Sequence, residues 1–494
     1  MSRLSVLIVS SEIAPFAKTG GLADVSAALG RYLAGAGHDV KLVMPQYARV
    51  RERFGAGTPH PALQDVEVGA GERARRVSFS TRPLPPSAGS EEAAGPEVFF
   101  LRDPELFERE AIYDSAGDEH VRFGVLSEAA LVLCQHLGWS PDVVHANDWH
   151  TGLLPLLLKV RFGWDARFEG TKTLLTIHNL GYQGLFELEA LDDLGLADEK
   201  HLLWRADTEE GRVNFLRTGL LYADALTTVS PTYAREIQTE EQGMGLDDLL
   251  RQRSGDLVGI VNGVDYGEWD PRTDPNLVEN YGPGELEGKA ACKRDLLRHF
   301  DLAPAADDVP GLGCVSRLTH QKGFELLPDV LTVLLQRADL RLVVLGSGEE
   351  KYEQYFGWLR ETFPRHVGFH AGYDEALAHR VEAGSDLFLM PSRYEPCGLN
   401  QMYSLRYGTI PVVRRTGGLA DTVDEYDPSD RTGTGFLFDD FDAHALFAAL
   451  QRALSAFAEP EHREALRANG MAQDTSWDVQ GPHYERLYAR LLGQ

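Results

Sequence analysis

Apolar runs of a few residues, each bounded by polar residues, recur through the first half of the chain with room for a helix between them. They occupy residues 4–9, 40–44, 142–145, 172–177 and 225–229. Such runs are typical of strands buried on both faces of a parallel sheet. A helix is predicted over residues 22–36, so the chain opens with a βαβ unit. The pattern predicts a first α/β domain, interrupted at 83–96 by a Pro-, Gly- and Ser-rich stretch that we expect to be an exposed, mobile loop.

The same rhythm restarts in the second half. Predicted strands cover residues 313–317, 340–345, 367–370, 386–390 and 409–413, and a helix over 287–300 precedes them. This pattern predicts a second α/β domain, and we place the domains at 1–257 and 258–474. The last segment, 475–494, is predicted to be mostly helical. Its apolar face needs a partner, for which the first domain is a candidate; that face consists of Tyr484, Leu487, Tyr488 and Leu491.

One short motif occurs twice. Lys18-Thr19-Gly20-Gly21-Leu22-Ala23-Asp24 near the start is echoed by Arg415-Thr416-Gly417-Gly418-Leu419-Ala420-Asp421, and each copy opens a predicted helix. Paired glycines at a helix start leave backbone N–H groups accessible, and the positive end of the helix dipole attracts anions. The repeat therefore predicts one anion site in each domain, although a tight turn would explain either copy alone.

The overall composition excludes some classes of protein. Among 494 residues, 48 are basic and 75 acidic, giving a net charge of -27, which disfavours a nucleic-acid partner. No apolar stretch approaches the roughly 20 residues that a membrane-spanning helix needs. Glu12 follows the first apolar run, without the cleavage site of a signal peptide. The cysteines form no C-x-x-C pair, so we expect reduced thiols in a cytoplasmic protein without a membrane partner.

Polar residues cluster where the predicted strands of the first domain end. These ends lie side by side in a parallel sheet, so we expect the following residues to converge: His145, Asp148, His150, His178, Asn179 and Ser230. A lone histidine after an apolar strand is more often a core residue than a catalyst. The order and spacing of the histidines match neither a hydrolytic triad nor a zinc site, and we predict no metal site.

Two motifs in the second domain carry candidate chemistry. Arg317 and Lys322 lie either side of a predicted turn and could hold a diphosphate between two cations, although a single cation at a strand end is usually only solvated. Glu395 follows a predicted strand, with Pro396 and Gly398 after it. A carboxylate beside free N–H groups suits the hydroxyls of a sugar. A carboxylate that merely caps a helix is the alternative.

Taken together, the motifs resemble those of bacterial glycogen synthases, which are similar to plant starch synthases. The blocks that carry the resemblance are 18–25, 141–150, 176–182, 229–234, 262–265, 316–323, 391–399 and 407–423. The resemblance implies the GT-B architecture, with two Rossmann-like domains facing a central cleft and a last helix that crosses back to the first domain. It also implies transfer of glucose from ADP-glucose to the 4-hydroxyl at the non-reducing end of glycogen or another α-1,4-glucan, with retention of configuration.

The resemblance also implies roles for particular residues. Catalysis would depend on Lys18, His178, Arg317, Lys322 and Glu395. Lys18, Gly20 and Gly21 would face the distal phosphate and the glucose, and Tyr373 would stack near the adenine. Glucose would also contact Asn262 and the backbone of Cys397 and Gly398. The other substrate contacts would come from Asp148, Asn179, Thr416, Gly417 and Gly418.

Two features of the chemistry follow from what the sequence contains. No Asp-x-Asp pair stands beside a strand end, so we expect no metal cofactor. No second carboxylate is an obvious nucleophile. We therefore favour attack by the acceptor on the same face of the sugar, with the leaving phosphate taking the proton.

The chain departs from many glycogen synthases at Ala116 and Glu119, where they carry the Tyr and Asn of a Tyr-x-Asp-Asn motif, so the contacts of that Tyr and Asn are not carried over. Tyr403 stands where related retaining transferases often hold a second Glu, as is usual for this family.

Two other functions remain open from the sequence. A transferase of the same architecture could use UDP-glucose or another acceptor. A glucan-binding protein could have kept the fold and lost turnover, but the basic residues Lys18, Arg317 and Lys322 argue against it, because a pure carbohydrate binder needs no diphosphate ligands.

Overall fold

The computed structural model describes residues 2–69, 74–86, 95–114, 116–306 and 308–494. Its two α/β domains each contain a sheet, all-parallel in the second domain, as the sequence predicts, and mostly parallel in the first, where the strand Arg75–Pro83 pairs antiparallel with its neighbours. The central strand of the first sheet shows why. Val6, Leu7, Ile8 and Val9 are all 0% exposed, because strands lie on both sides of this one and helices cover both of its faces.

The first domain contains a 10-stranded sheet and a separate pair of strands. Its strands are β1 (Ser5–Val9), β2 (Asp39–Pro45), β3 (Thr58–Pro59), β4 (Val66–Val68), β5 (Arg75–Pro83), β6 (Glu97–Arg102), β7 (Val143–Asn147), β8 (Lys172–Ile177), β9 (Leu185–Glu187), β10 (Arg212–Asn214), β11 (Ala225–Thr228) and β12 (Leu257–Gly259). The main path runs β12-β11-β8-β7-β1-β2-β6-β5-β3, and it is parallel from β12 to β6. Strands β3 and β4 both pair antiparallel with β5, and β9 pairs with β10.

The helices of this domain are α1 (Gly21–Gly35), α2 (Ala48–Phe54), α3 (Pro104–Phe107), α4 (Glu119–Leu137), α5 (Leu154–Arg161), α6 (Ala190–Asp193), α7 (Arg205–Glu209), α8 (Phe215–Tyr222), α9 (Pro231–Glu236) and α10 (Asp247–Gln252). Helix α4 ends because Gly138 adopts a left-handed φ of 60° and lets Trp139 N–H reach the Cys134 carbonyl at 3.0 Å.

The second domain is a 6-stranded, all-parallel sheet in the order β15-β14-β13-β16-β17-β18. The strands are β13 (Gly311–Val315), β14 (Arg341–Gly346), β15 (Val367–Ala371), β16 (Leu387–Met390), β17 (Ile410–Arg414) and β18 (Phe436–Phe438). The helices are α11 (Glu287–His299), α12 (Pro328–Arg337), α13 (Glu350–Thr362), α14 (Glu375–Gly384), α15 (Asn400–Arg406), α16 (Gly417–Thr422), α17 (Ala443–Ala458) and α18 (Pro460–Ala472).

The chain crosses between the domains twice, and the two crossing segments lie side by side. They are joined by a hydrogen bond from Val264 N–H to the Thr475 carbonyl at 2.8 Å. The last helix, α19 (Trp477–Leu491), then returns to the first domain, where Tyr484, Leu487 and Tyr488 are buried in the core. This confirms the predicted partner of its apolar face.

The structure departs from the predicted organisation at the domain boundary and in the number of strands. Strand β12 pairs with β11 in the first sheet, so the predicted boundary between 257 and 258 falls inside a strand of the first domain. The sequence-based prediction also left out the strands β3, β4, β5, β6, β9, β10, β12 and β18. Of the predicted mobile loop at 83–96, residues 87–94 lie outside the described residues, and Leu84 is fully buried. Within the described part of the chain, no helix is both long and apolar enough to cross a membrane.

Candidate active site

A cavity of about 670 Å³ lies between the two domains, at the carboxyl ends of their parallel strands. The segments that follow β1, β7 and β8 line it from the first domain, and those that follow β13 and β16 line it from the second. This is where open α/β sheets bind ligands. The predicted site residues that line it are Gly20, Gly21, Asp148, His178, Asn179, Asn262, Arg317, Lys322, Glu395, Cys397 and Gly398.

The first TGGLAD copy forms an open anion site. Helix α1 begins at Gly21 beside the cavity, and the N–H groups of Gly20, Gly21 and Leu22 have no acceptor among the described residues. A Cβ on Gly21 would lie 3.3 Å from Leu399 Cδ1, so the second domain also approaches closely here. The helix start is thus free to bind an anion such as phosphate.

The Lys18 side chain in front of this helix does not line the cavity. Its Nζ lies 3.0 Å from Asp24 Oδ1 and 3.3 Å from Glu375 Oε1 of the second domain. Burial lowers the pKa of Lys18, but the neighbouring carboxylates outweigh burial, and the net pKa is raised. Lys18 is therefore a fully charged cation held at the edge of the cleft, and it must move to contact a ligand in the cavity.

Arg317 and Lys322 both line the second-domain side of the cavity. Lys322 Nζ lies 2.5 Å from Glu395 Oε2. Arg317 is exposed and forms no ion pair with any residue that the structure describes. The charge of Lys322 is thus neutralised by Glu395, whereas the charge of Arg317 is not. The three groups together carry a net positive charge that attracts a diphosphate.

Glu395 is 5% exposed and is fixed from two directions. Besides the Lys322 ammonium, Ser392 Oγ donates to its Oε2 at 3.0 Å. Asn262 also lines the cavity, and its Oδ1 is buried without a hydrogen-bond partner among the described residues. A buried acceptor without a donor is costly, and a ligand hydroxyl would satisfy it.

His178 is neutral in this structure. Burial lowers its pKa to about 3, and its Nε2 lies 2.9 Å from Asn147 Oδ1. Asn147 Nδ2 donates to the Val9 carbonyl at 3.1 Å, which orients the amide so that its oxygen faces the imidazole. Nε2 therefore carries the proton, and Nδ1 is an acceptor that suits a sugar hydroxyl.

Asp148 has an unusual backbone and an unusual charge state. Its φ is 54°, and its Oδ1 accepts the His178 N–H at 2.7 Å, so it holds the segment that carries His178 in place. Burial raises the pKa of Asp148 to about 7, although backbone hydrogen bonds oppose that shift. Asp148 consequently exchanges its proton near neutral pH.

The raised pKa of Asp148 predicts a stability that falls as pH rises. At low pH the carboxyl is protonated in both states. Between its ordinary pKa of 3.8 and its folded value of about 7, the unfolded chain loses the proton first, so the native state is progressively disfavoured until the folded carboxyl also ionises. We expect the melting temperature to fall more steeply from about pH 4 to about pH 7 in the native protein than in Asp148→Asn. Calorimetry at several pH values measures this, and equal slopes would contradict it.

The second TGGLAD copy is not an open anion site, contrary to the prediction. Gly417 N–H donates to both carboxylate oxygens of Glu236, at 3.0 and 3.1 Å, and Gly418 N–H donates to the carbonyls of Glu395 and Pro396 at 3.1 Å. A Cβ on Gly417 would lie 1.9 Å from the Glu395 oxygen. These glycines therefore allow two backbone segments to pack together, and the turn that begins at Glu395 rests on them.

Other predicted residues also lie away from the cavity. Besides Lys18, those that do not line it are Tyr373, Thr416, Gly417 and Gly418. Tyr373 is 64% exposed. His145 does not converge with the other polar residues, because it is buried against α19, with Nδ1 2.9 Å from Tyr488 OH. Ser230 also lies elsewhere and donates to Asp421.

Several residues of the cavity wall were not predicted from the sequence. Glu12 accepts a hydrogen bond from Thr19 Oγ1 at 2.6 Å and another from Tyr113 OH, so it holds the glycine loop in place. The signal was available, since Glu12 is a charged residue three positions after the end of the first strand. Glu119, which stands at the departure from the family motif, lines the cavity, and Ala116 does not.

Comparisons with known proteins agree with this geometry. Residues 5–252 match the family model described as the starch synthase catalytic domain, and residues 302–473 match glycosyl transferases group 1. Glycogen synthase of Myxococcus xanthus is 47% identical over 498 residues, covering 99% of this chain and 100% of the relative. Glycogen synthase 1 of Geobacter sulfurreducens is 45% identical and covers 100% of this chain and 97% of the relative.

Solved structures show the same fold. The catalytic domain of starch synthase IV from Arabidopsis thaliana, bound to ADP and acarbose, superposes with a TM-score of 0.90 at 32% identity and covers 100% of both chains. Sucrose-phosphate synthase from Thermosynechococcus elongatus, at 19% identity and a TM-score of 0.62 over 99% of this chain and 100% of its own, shares the fold. The chain belongs to the glycogen and starch synthase family of glycosyltransferases.

Proposed function

We propose that this chain transfers glucose from ADP-glucose to the non-reducing 4-hydroxyl of an α-1,4-glucan, with retention of configuration. The observation that carries the proposal is that one cavity contains two kinds of group. Cations and an open helix start can bind phosphate, and hydrogen-bond acceptors without a donor can bind the hydroxyls of a sugar. Arg317, Lys322 and the start of α1 fit a diphosphate, and Asn262 and His178 fit a sugar. The Arabidopsis structure, with ADP and acarbose bound, supports this assignment.

Stabilisation of the leaving group is the main catalytic task in this proposal. As the bond from the sugar C1 to the phosphate oxygen breaks, negative charge grows on the phosphate. Arg317, Lys322 and the N–H groups of Gly20 and Gly21 are already in place to bind that charge. Lys322 would exchange part of its contact with Glu395 for the phosphate. Lys18 would leave Asp24 and Glu375 as the cleft closes around the donor.

The acceptor would attack on the same face of the sugar. Its 4-hydroxyl oxygen forms the new bond to C1, its proton passes to the leaving phosphate oxygen, and ADP departs. The carboxylates in the wall are engaged elsewhere, since Glu395 pairs with Lys322 and Asp148 accepts a backbone N–H. A glucosyl ester trapped on Glu395 or Asp148, detected by mass spectrometry, would overturn this route.

Other substrate contacts follow the family pattern. Tyr373 would stack near the adenine from the rim of the cleft, and the backbone of Cys397 and Gly398 would contact glucose together with Asn179. We propose that the reaction needs no metal ion, so turnover should persist in EDTA. No group of three His, Cys, Asp or Glu side chains in the described part of the chain is arranged to hold one. A cytoplasmic location stays a prediction.

A nucleotide-release assay tests the donor. The protein is incubated with a maltooligosaccharide and either ADP-glucose or UDP-glucose, and the ADP or UDP formed is measured. We expect release of ADP that depends on the acceptor, and a much slower release of UDP. Release only from UDP-glucose would contradict the proposed donor, and glucan binding without any release would favour the binding-protein alternative.

A further inference from the structure

We propose that Glu236 and Asp421 are positioning residues, which lock α9 of the first domain to α16 of the second and so hold the two halves of the active site in register. The inference rests on the proposed function. It concerns residues that lie behind the cavity and do not line it.

Each of the two helices supplies one carboxylate that accepts hydrogen bonds from the start of the other helix. Glu236, the last residue of α9, accepts from Gly417 N–H at 3.0 Å and from Thr416 Oγ1 at 3.1 Å, at the start of α16. In return, Asp421 near the end of α16 accepts from Thr232 N–H at 2.9 Å and from Thr232 Oγ1 at 2.6 Å, at the start of α9. Each carboxylate thus binds free donors at the positive end of the opposite helix.

Helix α9 is bonded in turn to the first-domain half of the site. Tyr233 is 1% exposed, and its hydroxyl accepts the Leu180 N–H at 3.1 Å. Leu180 directly follows His178 and Asn179, which line the cavity. Ser230 strengthens the connection, because its hydroxyl accepts the Tyr233 N–H at 2.8 Å and donates to Asp421. A displacement of α9 would therefore move the segment that carries His178.

Helix α16 is bonded to the second-domain half. Gly418 N–H donates to the carbonyls of Glu395 and Pro396, and the packing around Gly417 and Gly418 leaves no room even for a methyl group. The contacts of the two carboxylates thus complete a continuous path of hydrogen bonds from Leu180, through α9 and α16, to the turn at Glu395. Transfer requires the donor and the acceptor to meet within a narrow range of geometry, so loss of this path should slow the chemical step.

The contacts of Glu236 and those of Asp421 differ in strength. Glu236 is half-buried, whereas Asp421 is exposed, and water screens an exposed charge more strongly. Loss of Glu236 should therefore cost more than loss of Asp421. Neither change alters Arg317 or Lys322, so nucleotide binding to the second domain should remain.

The test compares Glu236→Ala, Glu236→Gln and Asp421→Ala with the native protein, using full chains. We expect Glu236→Ala to lower kcat about 10-fold and Asp421→Ala about 3-fold, with the KM for ADP-glucose and the calorimetric Kd for ADP changing less than about 2-fold. Glu236→Gln keeps an acceptor oxygen and should recover part of kcat. A matched control is Asp442→Ala, because Asp442 accepts the Ala445 N–H at 2.8 Å at the start of α17, entirely within the second domain. It should lower the melting temperature and leave kcat unchanged.

Each outcome decides the proposal. If Glu236→Ala behaves as Asp442→Ala does, or loses ADP affinity in parallel with kcat, the positioning role is wrong. If Glu236→Ala does not fold, Glu236→Gln and Thr232→Val replace it and should give smaller losses of kcat with the same split. If the native protein has no turnover, the proposed function fails. Small-angle X-ray scattering then tests the contact between α9 and α16 separately. The radius of gyration should increase in Glu236→Ala, and an unchanged value would overturn the inference.

Discussion

Replacing Lys322 with alanine is expected to lower kcat by about 10²- to 10³-fold, the loss typical of removing one preorganised group that stabilises developing negative charge. The ammonium lies at the cavity wall, 2.5 Å from Glu395. Its removal takes a cation from the leaving phosphate and also leaves a buried carboxylate without its partner, which disfavours the native turn. Steady-state kinetics with ADP-glucose and a separate measurement of glucan affinity give the result.

Lys351→Ala provides the matched control for Lys322→Ala. Lys351 is an exposed lysine of the same domain, outside the cavity, and pairs with Glu349. We expect native kcat from it. Glucan affinity should stay nearly native in both variants. If Lys322→Ala lost glucan affinity as much as turnover, Lys322 would serve carbohydrate binding, and the diphosphate assignment would be wrong.

Gly418→Ala is expected to destabilise the protein by about 3 kcal/mol or more and to remove most activity. The new Cβ would lie 2.1 Å from the Cys397 oxygen and 2.5 Å from its Cα, so backbone must shift on a turn that lines the cavity. Thermal unfolding measures the loss of stability. Gly20→Ala is the control from the other copy of the motif, because no heavy atom lies within 4 Å of its Cβ and its φ of -165° is open to any residue. Equal melting temperatures for the two variants would contradict the packing role of Gly418.

The two copies of the motif show what the sequence can and cannot predict. Both helix starts were predicted correctly, because paired glycines before an apolar helix are a local signal. Their environments differ for reasons that are not local. The first copy faces the cavity, whereas Glu236, which is 181 residues away in sequence, fills the second. No local pattern in the sequence identifies that partner.

The same distinction applies to the rest of the site. Strand ends could be placed from apolar runs, so Asp148, His178, Arg317 and Glu395 were found where they line the cavity. His145 was misplaced because whether it faces the cavity or α19 depends on which way one strand residue points and on the return of a distant helix. Tyr113 was missed because it lies in an irregular segment between α3 and α4, where periodicity gives no signal.

Proton NMR of the reaction of ADP-glucose with a maltooligosaccharide tests the central claim most directly, because it follows the newly formed linkage and the leaving group in one sample. We expect a growing signal of α-1,4-linked glucose, matched mole for mole by ADP. A β-linked product, or free glucose without chain growth, would contradict the account.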